Sequence, residues 1–66
     1  MRQVIIYSGE DGYLIAECPS LPGCITQGKT KEAVIDNIKE AIELYIETLL
    51  ERNAAVPEDT LEVLQV

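Results

Sequence analysis

The chain has no histidine among its 66 residues. That absence removes the side chain most often used as a general base near neutral pH, every Ser-His or Cys-His catalytic pair, and the commonest metal ligand. Basic residues are scarce: 5 Lys and Arg stand against 12 Asp and Glu, a formal net charge of -7. Nucleic-acid binding draws most of its affinity from Lys and Arg neutralising phosphates, so this balance argues against direct contact with RNA or DNA. A basic protein is the natural complement. The two cysteines, Cys18 and Cys24, are too few for a secreted disulfide scaffold and have neither Cys-x-x-Cys spacing nor a four-ligand zinc set around them. They read as small, partly buried thiols at a strand end and a loop exit. Gly9, Gly12, Gly23 and Gly28 lack phosphate-loop spacing and read as turn geometry, so neither a metal nor a cofactor is expected. No apolar run approaches the ~18 residues of a membrane span, and no charged segment followed by an apolar one opens the chain, which points to the cytoplasm.

What is present is apolar. A chain this short forms one domain, residues 1–66, and buries only about 60% of its unfolded surface. At 47% hydrophobic residues it carries more apolar material than such a monomer easily hides, so a homo-oligomer, dimer or tetramer, is expected.

Residues 2–7 are β-branched and aromatic at Val4, Ile5, Ile6 and Tyr7, which suits a first strand buried on both faces. Residues 8–12 turn the chain, and residues 13–18 read as a second strand, with Tyr13, Ile15 and Glu17 on one face and Leu14, Ala16 and Cys18 on the other. Pro19 ends it because proline cannot donate to a ladder. The Ser20-Leu21-Pro22-Gly23 loop leads to a short third strand over 24–27, which Gly28 allows the chain to leave. Thr30 is the expected N-cap of a long helix whose first turn holds Glu32, although Ala33 at N3 denies it a full capping box. Val34, Ile35, Ile38, Ala41, Ile42, Tyr45, Ile46 and Leu49 recur at three- and four-residue steps and form its apolar face. Tyr7, Tyr13 and Tyr45 suit core positions. Leu44 falls on the polar side and Leu50 at its margin. Asn53 can close the helix in a left-handed conformation, Pro57 blocks continuation, and residues 60–65 offer a last strand through Leu61, Val63 and Leu64.

The resulting α+β order is β-β-β-α-β. Two hairpin links and a right-handed crossover predict a four-stranded mixed sheet of order 3-2-1-4, with one helix on one face and the opposite face left to a partner or a second copy. That arrangement is the front half of a ribonuclease H-like fold. Nuclease chemistry of that class places carboxylates on adjacent strands around two divalent metals, one of them in the middle of the first strand. Residues 2–7 hold no carboxylate, and Glu17 and Glu62 do not cluster by spacing. A metal-dependent nuclease is therefore not the expected activity, and the fold alone assigns none.

The passage Ala16-Glu17-Cys18-Pro19-Ser20-Leu21-Pro22-Gly23-Cys24-Ile25-Thr26-Gln27-Gly28-Lys29-Thr30, followed by Glu32-Ala33 and later Glu40-Ala41-Ile42, resembles the HicB family of antitoxins. The family pattern runs Ala-x-x-Pro-x-Leu-Pro-Gly-Cys-x-Thr-x-Gly-x-Thr, then Glu-Ala and a helix; this chain has one residue fewer between Thr30 and Glu32. The resemblance implies a non-enzymatic antitoxin that neutralises a small basic HicA-like toxin, an mRNA-cleaving protein with a catalytic histidine, by steric occlusion. It also implies the degenerate ribonuclease H-like fold. Full-length members commonly add a C-terminal DNA-binding segment, and none is read here after Val66. Partner contacts are expected at Leu21, Pro22 and Gln27 and along the helix at Glu40, Glu43, Leu44 and Glu47. The acidic side chains suit a basic ligand, and the leucines would supply the apolar anchors. A stand-alone homo-oligomer that binds another protein or a small molecule is the alternative.

Overall fold

A computed structural model describes residues 2–66. Three strands and one helix form, in the order β1 (Ile5–Ser8), β2 (Leu14–Glu17), β3 (Ile25–Gly28) and α1 (Lys31–Glu51). The β1–β2 connection closes as a tight turn: the Tyr13 N–H donates to the Glu10 carbonyl at 3.1 Å, with Asp11 and Gly12 at φ 56 and 77. An Asp-Gly pair with positive φ at both central positions is the hairpin turn whose twist matches that of antiparallel strands. Ile5 to Ser8 pair with Glu17 to Leu14, and Leu14 to Glu17 pair with Gly28 to Ile25, both antiparallel.

Thr30 caps α1 as the sequence indicates, its Oγ1 accepting from the Ala33 N–H at 3.0 Å. At the other end Asn53, at φ 55, lets the Asn53 and Ala54 N–H groups reach the Leu50 and Leu49 carbonyls, the paired bonds of a Schellman closure. Removing the cap with Thr30→Ala is expected to cost about 1 kcal/mol, lowering the midpoint of a thermal melt followed by circular dichroism by about 4–8 °C.

The helix lies over β2 and β3, not over β1. Ala16, Cys18, Leu21, Cys24, Val34 and Ile38 form the buried cluster, with Val4, Leu14, Ala41, Ile42, Tyr45 and Ile46 packed around it. Gly28 permits this close seating. A Cβ there would lie 2.8 Å from the Val34 nitrogen, so the residue is required by helix approach rather than, as its place before the helix suggests, by a turn.

Two sequence expectations are corrected. No fourth strand forms: among the described residues the sheet has three strands, all antiparallel, in the order β1-β2-β3. The four-stranded mixed sheet of order 3-2-1-4, with residues 60–65 beside β1, is absent. The chain leaving the helix is instead fastened by side chains at the start of β1. Arg2 donates through Nη2 to the Pro57 carbonyl at 2.6 Å and through Nη1 to Ser20 Oγ at 2.9 Å, and the Gln3 N–H donates to Asp59 Oδ2 at 2.9 Å. Asp59 thus takes a backbone donor that a neighbouring strand would need, and Val63 and Leu64 stay 78% and 74% exposed. Nor is the first strand buried on both faces. Ile5, Ile6 and Tyr7 are all exposed, because β1 is an edge strand and the helix axis lies over the other two. Tyr7 accordingly is not core.

Candidate partner-binding surface

Residues 18–24 form a compact loop held by three backbone bonds: Cys18 N–H to Cys24 O, Leu21 N–H to Cys18 O and Cys24 N–H to Leu21 O, at 2.9, 3.0 and 2.9 Å. Gly23, at φ 81, supplies the left-handed step that this folding-back needs. The loop points Leu21 inward, where it is 1% exposed and one of the largest buried side chains. Pro22 is left on the surface, and its carbonyl accepts from the Tyr45 hydroxyl at 2.7 Å. The loop is therefore fixed to the middle of the helix.

Between this loop, the start of β3 and the C-terminal half of α1 lies an open groove of about 460 Å³, its floor and walls including Cys24, Ile25, Ala41, Leu44, Tyr45 and Leu49. Leu44 is 56% exposed and Ile25 51%. Glu40 and Glu47 sit four residues before and three after Leu44, which places them beside it on the helix surface. Arg52 closes the far end. An apolar trough with a carboxylate on either side of its most exposed leucine can accept an apolar side chain from a partner whose flanking groups are basic.

Of the residues singled out in the sequence, the structure gathers Leu44, Glu40 and Glu47 on one helix face, with Pro22 fixed to Tyr45 at the edge of the groove. It separates the others. Leu21 is a core plug and offers no contact surface. Gln27 lies on β3 with its carbonyl accepting from Asn37 Nδ2 at 2.9 Å. Glu43 faces a second groove, of about 620 Å³, between α1 and β1, lined by Val4, Ile6, Ile35, Ile42 and Ile46. Ile25, Tyr45, Leu49 and Arg52 were not legible as groove residues, because β3 and the helix come together only in the fold. The one available signal was the Pro-Gly pair at 22 and 23, which shows the loop doubling back.

Both thiols are free and buried. Burial holds the Cys24 thiol above its usual range, the neighbouring Cys18 adds to the rise, and Arg2 opposes it. The folded state therefore keeps a proton that the unfolded chain releases. Stability from this source is complete below the unfolded thiol's pKa and is lost as pH rises through the folded one. Alkylation of Cys24 at pH 8 is expected to be slower in the folded protein than in urea, measured by mass spectrometry with iodoacetamide.

Among the described residues no helix is long and apolar enough to cross a membrane. Residues 3–65 match the family model of the HicB-like antitoxin of bacterial toxin-antitoxin systems. A UPF0150 protein of Thermoplasma acidophilum is 52% identical over 63 residues, covering 96% of this chain and 91% of that one. A UPF0150 protein of Synechocystis is 48% identical over 60 residues, 91% of this chain and 76% of that one. One from Archaeoglobus fulgidus is 50% identical over 44 residues, 67% and 64% of the two chains. No solved structure matches. The match across nearly the whole chain, through the loop and helix that form the groove, shows that this chain belongs to the HicB-like antitoxin family of bacterial toxin-antitoxin systems.

Proposed function

We propose that this antitoxin neutralises a small basic, HicA-like, mRNA-cleaving toxin by covering the face with which the toxin holds RNA, acting in the cytoplasm without catalysis of its own. The observation that carries this reading is the loop-helix groove, where exposed Leu44 stands between Glu40 and Glu47 on a chain of net charge -7. A surface that binds RNA is itself basic and attracts such a face. Long-range attraction speeds encounter, and the leucine seated in a partner pocket sets how long the complex lasts. Inhibition by occlusion needs no general base, which accords with a chain that contains no histidine.

The domain also associates with copies of itself, a reading supported by the apolar side chains Ile5, Tyr7 and Ile25 left exposed on regular strands. Direct contact with nucleic acid is no part of this domain's role. Coexpression of the tagged domain with a HicA-like toxin, followed by purification and assay of the complex on mRNA, tests the proposal. A one-to-one complex without cleavage activity supports it, and a toxin that elutes alone and active refutes it.

A further inference from the structure

Among the described residues no element of secondary structure covers the sheet face turned away from α1. In antiparallel register it shows one row of Ile5, Glu17 and Ile25 and a second of Tyr7, Ile15 and Gln27. Beyond the second row, at the hairpin end, the Lys29 ammonium lies 5.8 Å over the Tyr13 ring. Ile5, Tyr7 and Ile25 are exposed by 46%, 42% and 51%. The charges on this face cancel: Glu17 at one end of β2 and Lys29 at the other. The chain's net charge of -7 therefore resides elsewhere.

Such a face is complementary to itself. A two-fold axis through Ile15, perpendicular to β2, lays the Glu17 row of one copy on the Tyr13 and Lys29 end of the other. Each carboxylate then meets the opposite copy's ammonium, Ile15 and Tyr7 meet their own counterparts between them at the spacing of about 10 Å usual for stacked sheets, and Ile5 and Ile25 flank the carboxylate in the outer rows. We infer that the open sheet face, centred on Ile15 and closed at both ends by Glu17–Lys29 pairs, is where a second copy of this chain docks. The inference rests on the self-association reading above. With outer strands about 10 Å apart and the charged ends about 14 Å apart, the patch is smaller than the interfaces of stable complexes, so the association is a weak one, with dissociation in the high micromolar range.

Sedimentation velocity from low to high micromolar concentration tests this on Glu17→Lys, Lys29→Glu and the double variant, with circular dichroism to verify folding. Each single reversal sets like charges against each other and is expected to weaken association roughly tenfold, and the double variant restores the pairs in swapped order and returns affinity to within about twofold. Ile5→Glu should weaken association as well, and Leu44→Ala should leave it unchanged. A dimer indifferent to both reversals, or a folded double variant that fails to recover, overturns this face while leaving self-association standing. A chain that stays monomeric throughout refutes both.

Discussion

Gly28→Ala is expected to destabilise the domain by about 2–4 kcal/mol, the cost of forcing a methyl group into a packed interior that cannot yield. The added carbon would lie 2.8 Å from the Val34 nitrogen, 3.0 Å from its Cα and 3.1 Å from the Ala33 carbonyl carbon. These are backbone atoms of the first helical turn, so no rotamer change relieves the contact. The helix must instead move off β3, drawing Val34 and Ile38 out of the cluster they share with Ala16 and Cys18. A domain of this length has roughly 3–10 kcal/mol of total stability, so the substitution takes a large share of it. A thermal melt should fall by at least about 10 °C, and Gly28→Val should leave little folded protein at 37 °C. An alanine variant melting within two or three degrees of the parent would contradict the close seating of helix on strand.

Leu44→Ala is expected to weaken toxin binding about 30-fold with no loss of stability. The second half follows from exposure: a side chain 56% accessible, outside the buried cluster, leaves little cavity when trimmed. The first half follows from its position. Interfaces concentrate their free energy in a few desolvated apolar anchors, where truncation costs about 2 kcal/mol. The effect should appear in the dissociation rate. Glu40→Lys with Glu47→Lys should act on the other rate constant, slowing association at low salt and losing most of that effect near 1 M salt, where charges are screened within about 3 Å. Surface plasmon resonance at two ionic strengths separates the two. If the leucine changed only the association rate, or the charges only the dissociation rate, the groove would not be the contact face.

The parts of the fold that local chemistry decides were legible in the sequence. Thr30 before an apolar three-and-four periodicity marks the helix, Asn53 its end, and alternation through Ala16 and Cys18 the buried face of β2. Asp11-Gly12 sets the hairpin. What the sequence could not settle depends on distant contacts. A β-branched run such as Ile5-Ile6-Tyr7 reads alike in a central and an edge strand; its exposure follows from where the helix axis lies over the sheet. Residues 60–65 alternate like a strand, but Arg2 and the Gln3 N–H, more than 50 positions away, hold the preceding Pro57 and Asp59. Of the candidate site, Leu44 was visible as an apolar residue among acids. Leu21 was misplaced because a leucine between two prolines reads the same whether the loop turns it inward or outward.

Inhibition by occlusion is read out by titrating the domain into a fixed amount of HicA-like toxin cleaving a fluorescent RNA, with binding followed in the same samples by native mass spectrometry. Cleavage is expected to fall in proportion to complex formed and to cease near one domain per toxin, and Leu44→Ala is expected to shift both curves together. Cleavage that continues while the toxin is fully bound, or that stops without any complex, would contradict it.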